Sequence, residues 1–381
     1  MPIDNPFTTA VSEMPPRFAG RKTEKDLFST NLKYLKEGNP RNLAFVGDYG
    51  TGKTVLLKEF SNMAKDIFCI TFPCHQFENH AQFSNFLLGT IDRRITVSKS
   101  KKILEIFKSH VKSLTVTTPV GGGGIEFKED DPAFDPMNRM INIFESLYKA
   151  VDQPTILFFD DFQYYLKTIG QSEILKPAFT VLTQELEYDI MLTVCGDLNT
   201  FEGVQELHEP IARFFEPRRI DPLSRDEIDD AINVPLKSLG CRFTDEAIER
   251  TAELSQGRAY YVQLCAHYGL NEARNRQITP EDVSAGLRRV LNRLAIEHFD
   301  NIYNGVSPDQ QTILQVIACS DRPLLHKEII NESESHDVTE SSAKMSISRL
   351  RESNVLVKAR NKYQIREKLF EEYIRGKSLL I

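Results

Sequence analysis

No segment of the 381-residue chain approaches the roughly 18 to 20 consecutive apolar residues that span a bilayer. Its first residues, Met-Pro-Ile-Asp-Asn-Pro, lack the basic stretch followed by an apolar one that marks an export signal. The expectation is a cytoplasmic protein with no membrane partner. Cysteine is sparse and has no C-x-x-C pair: Cys69, Cys74, Cys195, Cys241, Cys265 and Cys319 stand among apolar neighbours, without the histidine spacing of a zinc site. They read as reduced core residues. Internal repeats and low-complexity tracts are absent. So is any excess of positive charge, since 47 Lys and Arg against 54 Asp and Glu leave −7. That balance argues against a surface that coats nucleic acid along its whole extent, and leaves a local basic patch open.

What is present is ordinary for a folded protein, and 381 residues is two or three domains at about 100 to 200 residues each. Residues 1–40 are rich in proline and polar residues until an apolar periodicity over Glu24 to Leu35, which reads as a short arm leading into one helix. Leu43 to Val46, Ile67 to Phe72, Thr155 to Phe159 and Ile190 to Val194 are short apolar runs separated by helix-length segments. That alternation predicts an α/β core with a parallel sheet covered on both faces. A further strand is expected over Arg218 to Leu223. Beyond Asp221 strand signals stop. Ser224-Arg225-Asp226-Glu227, Thr244-Asp245-Glu246 and Thr279-Pro280-Glu281-Asp282 instead read as helix starts, each with an N-cap hydroxyl and early acids.

After about Asn304 the pattern predicts helices over Ser307 to Cys319, Leu325 to Asn331 and Thr339 to Ser353, then a hairpin over Val355 to Ile365. Three helices and a hairpin make a winged helix-turn-helix arrangement. Ser98 to Asp131 stands apart: a lysine-studded amphipathic helix with Ile103, Ile106, Phe107 and Val111 at helical spacing, then a hairpin from Leu114 to Phe127 around four glycines, Gly121 to Gly124. Its Lys99, Lys101, Lys102, Lys108 and Lys112 fit a DNA-facing element, an oligomer contact or a solvated face.

Gly47-Asp48-Tyr49-Gly50-Thr51-Gly52-Lys53-Thr54 matches G-x-x-x-x-G-K-[ST], follows an expected strand and opens an expected helix. Glycines let the backbone wrap phosphates with N–H groups turned inward, and a helix N-terminus adds a favourable dipole. With Val55, these residues form the expected nucleotide cradle. Lys53 would neutralise the β and γ phosphates of ATP and the Thr54 hydroxyl would ligate Mg2+. Thr155 to Asp161 is an apolar strand ending in two acids. Asp160 would hold the magnesium shell, and Asp161 would orient or deprotonate the attacking water.

Taken together, these motifs resemble the AAA+ ATPases of the archaeal and bacterial initiator-like type, close to the STAND ATPases, over almost the whole chain. The resemblance implies that Phe18-Ala19-Gly20-Arg21, with Glu24 after it, is the box lying against the adenine. Gly47 to Thr54 becomes the Walker A loop and Phe158 to Asp161 the Walker B strand, with Asp161 where the family commonly has Glu. Slow hydrolysis, or nucleotide binding without turnover, follows from that departure. Thr193 to Asn199 takes the place of the sensor 1 strand end, with Asp197 and Asn199 both candidates. Arg213 is either the arginine that reaches a neighbouring subunit's γ-phosphate or a surface residue. Ser255 to Gln263 resembles the start of the sensor 2 helix, with Arg258 either facing the nucleotide or solvated. The implied division is an arm and adenine-side box over 1–40, a P-loop core over 41–223 with an insertion at 98–131, a helical lid over 224–303 and a winged helix over 304–381.

If residues 339–353 are a recognition helix, Lys344, Ser348, Arg349 and Arg351 can reach phosphates or base edges, with Lys358, Arg360 and Lys362 on the wing. From 339 to 377 ten Lys or Arg face five Asp or Glu, a balance of +5 inside a chain of −7. The expected function is an ATP-dependent switch that assembles as a homo-oligomer and engages double-stranded DNA, acting on a protein client or effector. The competing expectation is a STAND-like signalling or defence module whose winged helix contacts a protein. Against it stands the lack of sensor repeats after residue 381.

Overall fold

A computed structural model describes residues 4–97, 101–113, 135–167, 171–198 and 214–378. The chain divides into two compact units, Arg21–Asp221 and a second made of Met1–Gly20 with Pro222–Ile381. The expected hairpin over Leu114 to Phe127 lies outside the described residues, as do Asn199 and Arg213.

The first unit opens with α1 (Lys22–Lys36), which buries Phe28 and Leu35. It continues through β1 (Leu43–Val46), α2 (Lys53–Met63), β2 (Phe68–Pro73), α3 (His80–Val97), α4 (Lys101–Ser113) and α5 (Pro136–Val151). After β3 (Thr155–Asp160) come the short α6 (Gln163–Leu166), α7 (Gln171–Thr180), β4 (Ile190–Gly196) and β5 (Glu216–Arg219). The strands form one all-parallel sheet in the order β2-β3-β4-β1-β5. β1, β3 and β4 are buried along their whole length, which is why they read as unbroken apolar runs. β4 lies between the strand that feeds the glycine loop and the strand that ends in acids. The carboxyl ends of all three therefore meet at one edge, with Val46 opposite Gly196 and Phe159 opposite Val194. Ligands of open parallel sheets bind at that edge.

The strand expected over Arg218 to Leu223 is displaced. β5 pairs with β1 from Glu216 to Arg219, and the Ile220 N–H to the Val46 carbonyl (2.7 Å) is the last bond before β1 turns into the loop. In the insertion, α4 packs on α3 and α5 and buries Phe107, while Ile103 and Ile106 are half-buried.

The second unit holds α8 (Arg225–Leu236), β6 (Arg242–Phe243), α9 (Asp245–Ser255), α10 (Ala259–Glu272), β7 (Gln277–Ile278), α11 (Pro280–Leu294) and α12 (Asp300–Asn304). Ser224 and Thr279 close capping boxes with Glu227 and Asp282. Thr244 caps only the Ala247 N–H, because an alanine stands where the reciprocal acid would be. The parallel β6–β7 pair was not expected from the sequence; two residues per strand are too few to leave a pattern. The N-terminal segment packs on the helices of this unit. Asn5 donates to the His267 carbonyl (2.8 Å), the Tyr260 hydroxyl donates to the Thr9 carbonyl (2.9 Å), and Phe7 is buried with its ring edge on Phe243.

The chain ends with α13 (Pro308–Ala318), β8 (Leu324–Leu325), α14 (His326–Glu334), α15 (Glu340–Glu352), β9 (Leu356–Ala359), β10 (Lys362–Ile365) and α16 (Lys368–Ser378). Ser307 and Thr339 are the N-caps of α13 and α15. The antiparallel β9–β10 hairpin turns at Arg360 and Asn361, both at positive φ as a two-residue hairpin turn requires. β8 adds a third strand, and α16 buries Leu369, Phe370, Tyr373 and Ile374. Five cysteines are buried; Cys319, just past the end of α13, is exposed, against the expectation of a core residue. Burial pushes the Cys69 and Cys265 thiols up to about 12, so both stay protonated near neutral pH. Among the described residues no helix is long and apolar enough to cross a membrane.

Candidate nucleotide site and basic face

The loop between β1 and α2 is shaped by its glycines. Gly50 and Gly52 have φ of +79° and +92°, which residues with a Cβ rarely adopt. A Cβ on Gly47 would lie 2.8 Å from the Thr51 hydroxyl, so only glycine fits where the loop folds on itself. The Asp48 carbonyl accepts from the Thr51 hydroxyl (2.9 Å) and, with the Gly47 carbonyl, from the Lys53 ammonium (2.9 Å each). Gly52 caps α2 without a side chain, leaving the first-turn N–H groups at Lys53, Thr54 and Val55 directed out of the helix start. Asp48, Tyr49, Thr54 and Val55 are half-buried, so the cradle opens to solvent.

Arg21, at the start of α1 with φ of +61°, is buried beneath this loop. Its guanidinium donates to the Thr51 carbonyl (2.8 Å) and to the Asp221 carbonyl, and Glu24 lies 3.8 Å away. Arg21 thus braces the loop against the chain leaving β5. Gly20, with φ of +69°, belongs to the second unit. A Cβ there would meet the Glu227 carboxylate at 2.3 Å.

Asp160 ends β3 and is buried, and the Thr54 hydroxyl donates to its carboxylate. Burial raises its pKa above the usual carboxylate range. The Thr54 bond opposes that, the Asp161 charge adds to it, and the Asp161 N–H (3.1 Å) and Lys53 oppose it again. A carboxylate left under-solvated beside a hydroxyl is the donor pair a hard divalent cation seeks. Asp161 follows at φ +53° and receives the Gln163 side-chain amide on Oδ1 (3.1 Å), while the Gln163 carbonyl oxygen accepts from the Asp197 N–H (3.3 Å). The sequence offered no signal for Gln163. The structure therefore brings Lys53, Thr54, Asp160 and Asp161 together, with Asp197 at the end of β4 beside them.

The family scan matches residues 17–186 to the AAA ATPase domain. Residues 17–186 are thus similar to an AAA ATPase domain, whose P-loop fold implies nucleotide binding. A Walker-type ATPase of Pyrococcus abyssi superposes with a TM-score of 0.61 at 17% identity, over 94% of this chain and 99% of that one. The ORC2 protein of Aeropyrum pernix in its ADP form superposes with a TM-score of 0.54 at 12% identity, over 97% of each chain. At such identities the likeness is one of fold. No curated protein matches the chain in sequence.

Outside the matched residues, Arg258 precedes α10, buried, and pairs with Glu367 at 3.0 Å. On α15, Lys344, Ser348, Arg349 and Arg351 are exposed, Lys344 pairing with Glu340 (2.6 Å) and Ser348 donating to Glu352 (2.9 Å). Lys358 and Arg360 on the hairpin are exposed and Lys362 is half-buried.

Proposed function

We propose that the protein is an ATP-dependent switch that assembles on nucleotide binding and engages double-stranded DNA through a C-terminal winged helix. The observation that carries this reading is the segregation of charge. Exposed Lys344, Arg349 and Arg351 on one helix and Lys358 and Arg360 on the adjoining hairpin fall within residues 339–377, where ten Lys or Arg stand against five Asp or Glu in a chain of net −7. In this reading the chain comprises a P-loop core over 41–223, a lid over 224–303 and a winged helix over 304–381.

At the nucleotide, Lys53 leaves the loop carbonyls for the β and γ phosphates, and the N–H groups of residues 47–55 line the phosphate chain. Thr54 and Asp160 would hold Mg2+, which would offset phosphate charge when bound. The fit is supported by the buried Asp160 carboxylate and its Thr54 contact. Asp161 takes the proton of the attacking water, Asp197 or Asn199 senses the γ-phosphate, and Arg213 reaches it from a neighbouring subunit. Gly20, Arg21 and Arg258 are the further nucleotide contacts that this reading assigns.

A second reading, a STAND-like module whose winged helix meets a protein effector, is favoured by the Arg258–Glu367 pair, through which the C-terminal region holds the start of α10. Binding to a labelled random-sequence duplex across a salt series, with and without ATP and Mg2+, separates the two. Affinity that falls steeply with salt and responds to ATP supports the DNA switch. No binding at low salt transfers the assignment to the protein-facing module.

A further inference from the structure

Asp161 is one methylene shorter than a glutamate, so where its carboxylate points depends on how its turn is held. The turn is pinned on both sides. The Cys74 N–H donates to the Asp160 carbonyl (2.9 Å) after β2, and the Phe162 N–H donates to the Cys195 carbonyl (2.8 Å) on β4. Between them Asp161 sits at φ +53°, in the left-handed region that a residue with a Cβ seldom occupies. Its side chain then meets Gln163. The Gln163 Nε2 donates to Asp161 Oδ1 at 3.1 Å, and the Gln163 Oε1 accepts from the Asp197 N–H at 3.3 Å. Both ends of the amide are specified. A carboxylate only accepts and a backbone N–H only donates, so a flipped amide would lose both bonds.

We propose that Gln163 is a positioning residue for ATP hydrolysis, holding the Asp161 carboxylate toward the γ-phosphate by gripping the end of β4. The proposal rests on the reading of Asp161 as the group that receives the water proton. In that step the water oxygen bonds to the γ-phosphorus and the bond from phosphorus to the β,γ-bridging oxygen breaks. One water proton passes to Asp161, and ADP and inorganic phosphate leave. The Gln163 amide donates to one carboxylate oxygen and leaves the other for the water. Its second bond makes the orientation of the acid depend on the Asp197 backbone, where the chain leaves the sheet.

The test is single-turnover ATP hydrolysis by the full chain, alongside nucleotide affinity, for wild type, Gln163→Ala, Gln163→Glu, Asp161→Ala and the Gln163→Ala/Asp161→Ala double variant. Gln163→Glu keeps an acceptor for the Asp197 N–H but sets a second carboxylate against Asp161. Gln163→Ala is expected to slow the chemical step by about tenfold or more with nucleotide affinity within about twofold. Gln163→Glu is expected to be at least as slow. In the Asp161→Ala background the loss of Gln163 is expected to cost nothing further, because residues acting as a unit are not additive. Unchanged turnover in Gln163→Ala, full activity in Gln163→Glu, or an equal loss with and without Asp161 overturns the proposal. A wild type that binds ATP but shows no turnover overturns the hydrolysis reading itself, and this one with it. Wild-type turnover with an additive double variant overturns this one alone.

Discussion

Arg258 and Glu367 form an ion pair at 3.0 Å, their side chains only 7% and 16% exposed. The pair joins the start of α10 to the turn before α16. Tyr261 donates its hydroxyl to the same carboxylate (2.8 Å). One residue pair away, Gln256 accepts from the Lys368 N–H (2.9 Å) and donates to the Arg366 carbonyl (3.1 Å). Beside it, the pKa of His298 is lowered by burial first, with Arg258 adding to the effect and Glu367 opposing it.

Replacing Glu367 by Gln leaves the Arg258 guanidinium buried without its counter-charge. A loss of about 3 kcal/mol is expected, the scale for breaking one side of a buried pair. It should appear as faster hydrogen exchange of the α10 and α16 amides, read by mass spectrometry. A loss below about 1 kcal/mol would mean that the pair behaves like an exposed one.

Lys53→Ala removes the ammonium that bonds the Gly47 and Asp48 carbonyls and that the proposed function hands to phosphate. In wild type, ATP with Mg2+ at a hundredfold above Kd should stabilise the first unit by about 2.7 kcal/mol. That shift in thermal midpoint should disappear in the variant. An undiminished shift would count against the loop as the nucleotide site.

Asp160 carries a desolvation cost that a bound cation is expected to relieve. Its folded pKa is raised, so the folded state binds the proton more readily than the unfolded one, and stability is lost as pH rises through the folded value. Asp160→Asn keeps an acceptor for Thr54 and the Asp161 N–H without the charge. At neutral pH without nucleotide the variant should melt higher than wild type. The gap should close as pH falls toward about 4, while stabilisation by Mg2+ and ATP is lost. A lower melting point at neutral pH would contradict this assignment of the burial cost.

Arg349→Ala combined with Arg351→Ala removes two exposed cations of α15. Binding to duplex DNA should weaken about equally for all sequences if both contact phosphate. The slope of log affinity against log salt should then fall in magnitude by about two. Loss confined to particular sequences would place one of them on a base edge, and unchanged affinity would remove α15 from the interface.

Features written in neighbouring residues were legible in the sequence. The glycine loop, the buried strands and the caps at Ser224, Thr244 and Thr279 depend on backbone conformation and on bonds spanning three residues. Gln163 was not legible, because its role exists only where β3 and β4 end side by side. Nor was the docking of Phe7 on Phe243, which joins residues remote in the chain.

Local chemistry thus wrote a phosphate-cradle pattern into residues 47–55, because glycines, a helix start, a lysine and a hydroxyl have to follow one another for that purpose. Only the tertiary fold decided what surrounds them. It inserted β4 between β1 and β3, ran Arg21 under the loop to the Thr51 carbonyl, and gave Arg258 the partner Glu367. Those outcomes depend on which buried faces pack together. Packing joins residues by shape and burial regardless of their separation along the chain, so no short pattern records it.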